Sequence, residues 1–143
     1  MLVASILKVK GDAVVVASPE TTVADAVAVL NRRRIGVLVV TGPGDAVVGI
    51  LSERDIVHAL DEAGDGLLKR PIAHFMTEEV ITCTPSQSVE DLMREMTNRR
   101  IRHLPVVDDG RLAGIVSIGD LVKYRLSELQ AERDALQDYI ATG

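Results

Sequence analysis

The sequence predicts an α/β (α+β) protein of two β-α-β-β-α repeats, packed with pseudo-twofold symmetry and followed by an extended C-terminal helix. Three observations predict it. The segment Gly49-Ile50-Leu51-Ser52-Glu53-Arg54-Asp55 recurs as Gly114-Ile115-Val116-Ser117-Ile118-Gly119-Asp120, 65 positions on. Around each copy, β-branched runs and segments of helical apolar spacing follow in the same order. The register between the halves is 66 positions up to the hairpin turn and 65 after it, so the first turn is one residue longer. A period of this length marks a repeat architecture and takes precedence over any single motif.

In chain order, Val14-Val15-Val16-Ala17 reads as a short strand ended by Ser18-Pro19. Thr22 caps a helix with Asp25 at the capping-box spacing, and Val23, Ala26, Val27 and Leu30 form its apolar face. Asn31 to Arg34 is a basic helix end, favourable against the helix dipole. Ile35 to Val40 is an almost wholly apolar strand, of the kind buried on both faces. Thr41 to Asp45 is a turn, Ala46 to Leu51 the returning strand, and Ser52 the cap of a second helix. After Asp61 to Gly66, Ile72 to Met76 forms a short helical entry and the pattern restarts. Val80-Ile81-Thr82-Cys83 repeats the first strand, Pro85 repeats Pro19, and Ser88 and Asp91 repeat Thr22 and Asp25. Arg102 to Val107 and Leu112 to Val116 form the second hairpin. The boundaries are 1–63 for the first repeat, 64–70 for the linker, 71–126 for the second repeat and 127–143 for the C-terminal amphipathic helix. A half of about 60 residues buries too little surface to stand alone, so one core shared by both halves is expected. The tail's apolar set, Leu121, Val122, Leu126, Leu129, Leu136, Tyr139 and Ile140, suits either a helix covering its own domain or a dimerisation helix.

Composition narrows the function. The 143 residues carry 47% hydrophobic and 2% aromatic side chains and a net charge of −5. An acidic chain is a poor general nucleic-acid binder, because neutralised phosphates supply most of that affinity. The local basic clusters Arg32-Arg33-Arg34 and Arg99-Arg100-Ile101-Arg102-His103 suit a small anion better. Cys83 is the only cysteine, which excludes an intramolecular disulfide and a cysteine-based zinc site and fits a reducing compartment. No apolar run reaches the roughly 20 residues of a membrane span, and no signal peptide is recognisable, so a cytoplasmic protein without membrane attachment is expected.

The Ser52/Asp55 and Ser117/Asp120 corners are explained fully as helix caps. The glycine three residues before each serine is not, since glycine weakens a strand unless something approaches the backbone closely. Hydroxyl, free helix N–H groups and carboxylate together suit a phosphate and a ribose. Arg102-His103 opens a strand whose counterpart in the first half has Gly36-Val37. The pair is either solvated at a strand end or an anion site, and Pro105 marks an edge, bulge or strand end. None of His58, His74 and His103 has a nearby partner in a metal-ligand or nucleophile–base pattern, so no catalytic residue and no metal are expected.

The doubled Gly-h-h-Ser-x-x-Asp pattern (h apolar) and Arg102-His103-Leu104-Pro105-Val106-Val107-Asp108 resemble a tandem pair of CBS (cystathionine β-synthase-type) domains, a Bateman module, over residues 1 to 126. The resemblance implies a regulatory module with two pseudo-symmetric sites in the cleft between repeats for an adenosyl ligand: AMP first, or ATP, ADP, NAD or S-adenosylmethionine. It implies that Asp55 and Asp120 hold ribose hydroxyls and that Ser52 and Ser117 contact ribose or phosphate. Thr82, Cys83 and Pro85, with Ser18 and Pro19, would line the adenine pocket. Ile35 and Ile101 would pack on the base, and Arg102, His103 and Arg54 would bind phosphate. Gly36 and Val37 depart from the basic pair, which makes the sites unequal and favours the second. A homodimer and a protein target in trans complete the expectation; the alternatives are a ligand-free oligomerisation module and a nucleotide hydrolase with His103 as base.

Overall fold

Hydroxyl caps start the helices where their spacing predicts. Residues 1–142 are described by a computed structural model. Helices α2 (Val23–Arg33), α3 (Glu53–Ala63) and α4 (Val89–Arg99) follow Thr22, Ser52 and Ser88, whose hydroxyls accept from the N–H groups of Asp25, Asp55 and Asp91. α2 and α4 both end on an arginine in the left-handed region, Arg34 (φ 54) and Arg100 (φ 56). The hairpins are β2 (Val37–Thr41) with β3 (Val47–Ser52), and β4 (His103–Asp108) with β5 (Arg111–Ser117), both antiparallel. β1 (Val16–Ala17) pairs parallel with β2.

The second half departs from the predicted repeat. The strand expected at Val80–Cys83 does not form, and one parallel bridge, Cys83 to Val106, remains. Pro105 supplies the reason. In the first half the Val39 N–H reaches the Val15 carbonyl at 3.4 Å. Pro105, the counterpart of Val39, has no N–H to offer Ile81. Its carbonyl does accept from the Cys83 N–H (3.0 Å), so its missing donor falls on the side away from β5 and leaves the β4–β5 ladder whole. Pro105 therefore sits buried in a strand whose outer neighbour has been cut to one bridge.

The N-terminus forms a helix the sequence pattern did not reveal. α1 (Val3–Lys10) buries Val3 and Ile6 in the core of the second half, against Val89, Leu92, Met96, Leu104 and Leu121. The Val3 N–H donates to the Gln87 carbonyl and the Val89 N–H to the Met1 carbonyl, each at 2.9 Å. The linker reciprocates: Leu67 and Ile72 lie in the core of the first half with Leu30, Leu38 and Leu51, and the Ile72 N–H donates to the Thr21 carbonyl at 2.8 Å. The expected single core is thus two cores, each completed by the segment that precedes the other half. This exchange solves the surface problem of a short repeat by another route.

The C-terminal helix α5 (Ile118–Thr142) is continuous with the second corner. Leu121 is fully buried, whereas Val122, Leu126, Leu129, Leu136, Tyr139 and Ile140 are 41% to 76% exposed. Only its first turns cover its own half.

Candidate functional site

Each corner is a reciprocal capping box. The Ser52 N–H donates to Asp55 Oδ2 (2.9 Å) and the Asp55 N–H to Ser52 Oγ (3.1 Å). Ser117 and Asp120 repeat both bonds at the same distances. Each helix start is also tied to the neighbouring strand: the Glu53 N–H donates to the Gly36 carbonyl (3.0 Å) and the Ile118 N–H to the Arg102 carbonyl (2.8 Å). A structural cap and a ligand corner are compatible here, because the box uses one carboxylate oxygen and leaves the serine O–H proton free.

The repeated glycines have a cause inside the chain. A Cβ on Gly49 would lie 2.5 Å from Met76 Sδ, and one on Gly114 would lie 2.7 Å from Leu7 Cδ2. What approaches each strand is the segment exchanged from the other half, so the glycines are accounted for by packing without a nucleotide.

Two clefts lie between the repeats. One, of about 730 Å³, joins Ser52, Arg54 and Asp55 to Ile101, Arg102 and His103. Its far wall is Thr77, Glu79, Val80 and Ile81, which sequence reasoning missed. The other, of about 880 Å³, joins Ile35, Gly36 and Val57 to Arg102, His103, Ser117 and Gly119. Gly36, Glu53, Arg102 and His103 line both clefts, so one basic pair serves both sides. Gly36 leaves room there, with the Glu53 carboxyl carbon 3.8 Å from where its Cβ would stand.

Other expected site residues are placed elsewhere. Cys83 and Pro105 are buried in the second half. Burial, then the charge of Glu95, pushes the Cys83 thiol up to about 12. Pro19 and Pro85 lend their carbonyls to Ala73 (3.1 Å) and Ala4 (3.0 Å). Ser18 pairs with the Thr21 hydroxyl at 3.2 Å. These five and Thr82 line neither cleft. Thr77 to Ile81 stand where Thr82 to Pro85 were expected, because the wall begins immediately after the exchanged entry helix.

The two carboxylates differ in their partners. Asp55 Oδ1 meets only the Thr77 hydroxyl, at 3.4 Å. Asp120 Oδ2 accepts from the Lys10 ammonium at 2.5 Å, and Asp120 lines neither cleft. Burial pushes the Asp120 carboxyl up, but the Lys10 hydrogen bond and charge and the Ser117 N–H outweigh it, and its pKa lies below the ordinary value. His103 is pushed down by burial, then by Lys10 and Arg102, against an opposing pull from Asp120. Among the described residues, no three His, Cys, Asp or Glu cluster as a metal site, and no helix is long and apolar enough to cross a membrane.

The family model described as "CBS domain" matches residues 9–62 and 72–127. The chain is 39% identical over 128 residues to the CBS domain-containing protein CBSX3, mitochondrial, of Arabidopsis thaliana, covering 87% of this chain and 62% of that one. Among solved structures, a CBS-domain containing protein from Agrobacterium tumefaciens superposes with a TM-score of 0.82 at 40% identity, covering 87% of this chain and 99% of that chain. The CBS domain pair of protein MJ0100, in complex with 5′-methylthioadenosine and S-adenosyl-L-methionine, gives 0.78 at 28% identity, covering 90% and 98%. CBSX2 in complex with AMP gives 0.71 at 29%, covering 80% and 88%.

Proposed function

Because the chain belongs to the CBS domain family, as a tandem pair of its domains, we propose that it is a regulatory module that binds an adenine nucleotide, AMP foremost, between its repeats. The observation that carries this reading is the convergence in one cleft of a carboxylate whose second oxygen meets only a neutral hydroxyl, an apolar wall and a basic pair. Asp55 accepts the ribose hydroxyls, Ile81 and Ile101 flank the base, and Arg102, His103 and Arg54 meet the phosphate. A carboxylate facing a diol and a guanidinium facing a phosphate are charge-assisted pairings, the stronger class of hydrogen bond. The two relatives solved with AMP and with adenosyl ligands support the ligand class. ATP, ADP and NAD share the adenosine and remain the competing ligands. The protein is regulatory rather than catalytic: the ligand touches both repeats, biases the angle between them, and a target protein reads that angle.

Calorimetry with AMP, ADP, ATP, NAD and S-adenosylmethionine tests the reading. AMP is expected to bind wild type, and Asp55→Ala to weaken binding at least tenfold. Absence of heat with every ligand overturns the nucleotide reading, and undiminished binding in Asp55→Ala overturns the site.

A second reading, a homodimer closed through α5, rests on the exposed apolar residues from Val122 to Ile140. Sedimentation of wild type against Leu129→Glu checks it; a monomer in both sinks it.

A further inference from the structure

We propose that Lys10 decides which of the two corners takes the ligand, by occupying the Asp120 corner and leaving the Asp55 corner open. This rests on the nucleotide reading above and adds the residue that makes the two sites unequal.

The corners are built alike. Each offers a strand carbonyl, of Ile50 or Ile115, beside a carboxylate, of Asp55 or Asp120. At the first corner both acceptors are met by Thr77: its N–H donates to the Ile50 carbonyl at 2.9 Å and its hydroxyl to Asp55 Oδ1 at 3.4 Å. At the second corner one group does both jobs. Lys10 Nζ donates to the Ile115 carbonyl at 2.8 Å and to Asp120 Oδ2 at 2.5 Å.

The chemical difference is large. The Thr77 hydroxyl is neutral and at the limit of hydrogen-bond distance, so a ribose hydroxyl replaces it with little loss. The Lys10 contact is a charge-assisted bond between half-buried groups, with side-chain exposures of 33% and 26%. Lys10 sits on Asp120 Oδ2, the oxygen that also accepts from the Ser117 N–H, so a ribose diol either displaces the ammonium or meets Oδ1 beside a cation that already spans the carboxylate and the Ile115 carbonyl.

The ammonium is held in place by the fold. Lys10 ends α1, whose Val3 and Ile6 lie in the second core, with exposures of 0% and 3%. Leu7 rests on Gly114 in the strand leading to the corner, and the Gly11 N–H closes the helix on the Leu7 carbonyl at 2.7 Å. The helix that completes the second core thus also fills the second corner. Arg102 and His103 line the cleft that holds Asp55, and neither cleft reaches Asp120, the carboxylate that Lys10 contacts.

The test is AMP calorimetry on wild type and five variants, with thermal melts to confirm folding. Wild type is expected to bind one equivalent, lost in Asp55→Ala. Lys10→Met, which keeps the aliphatic stem, is expected to bind a second equivalent. Asp55→Ala/Lys10→Met is expected to bind one, abolished by adding Asp120→Ala. Lys10→Arg retains the cation and is expected to behave as wild type; should Lys10→Met fail to fold, Lys10→Gln replaces it. One equivalent in Lys10→Met, or weaker binding than wild type, overturns the role of Lys10 while leaving the nucleotide reading intact. No binding in any variant overturns both.

Discussion

His103 stands where the two clefts meet, and burial keeps its imidazole less basic than an ordinary histidine, whose pKa is 6.5. The free protein therefore favours its neutral form more than an ordinary histidine does. A phosphate beside it favours the charged form. Binding of AMP is expected to take up protons, and affinity to rise as pH falls towards the His103 value of the free protein, which lies below the ordinary 6.5. Calorimetry in two buffers of different ionisation enthalpy measures the uptake, which disappears in His103→Gln. At Asp120 the sign of the stability effect follows from a lowered pKa. The folded state binds the proton less readily than the unfolded chain. The contribution of Asp120 is thus fully present above the ordinary carboxylate value of 3.8 and is lost as pH falls through the lower folded value. Thermal melts from pH 7 to acid are expected to show a steeper loss in wild type than in Asp120→Asn, whose curve lacks that component. Equal slopes refute the Lys10–Asp120 coupling as a source of stability.

Elements form where local rules agree and stop where one residue breaks them. The caps at Thr22, Ser52 and Ser88 were readable because donor and acceptor lie three positions apart. Pro105 was readable as a strand anomaly, but its effect on Ile81 was not, since the partner strand is chosen by packing. The consequence can be checked. Pro105→Val restores the donor, and its amide is expected to exchange slowly with solvent through a new bond to the Ile81 carbonyl. Rapid exchange at that position shows that something other than the missing N–H shortens the second sheet. α1 escaped notice for a different reason. Its buried pair, Val3 and Ile6, is too short a signal to distinguish a helix from an apolar terminus.

At the scale of the whole molecule, the exchange of segments makes each half depend on the other. Val3 and Ile6 belong by sequence to the first half and by burial to the second. Ile6→Ala is expected to destabilise the protein by about 2 to 5 kcal/mol, the range for a buried aliphatic cut to alanine. It should do so in a single transition, because neither core stands without its borrowed segment. Denaturant melts followed by circular dichroism, compared with calorimetry, check both points; two separate transitions show the halves to be independent. On the proposed function, a ligand bridging the repeats is expected to stabilise this unit by mass action, by about 2.7 kcal/mol when present at 100 times its Kd.

The sequence alone determined the repeat, the hairpins, the starts of α2, α3 and α4 and the two Ser–Asp corners, whose caps and turns are set by contacts within a few residues. It also singled out Arg102 and His103, because basic residues opening an apolar strand conflict with their local pattern. What tertiary structure decided is which pieces face each other. The wall opposite Asp55 begins with Thr77, 22 positions along the chain, and the partner of Asp120 is Lys10, 110 positions away. Such pairings follow from how two cores exchange segments, and no periodicity records them. The corner that the resemblance favoured, at Asp120, is the one a cation from α1 contacts, while the Asp55 corner lines a cleft between the repeats.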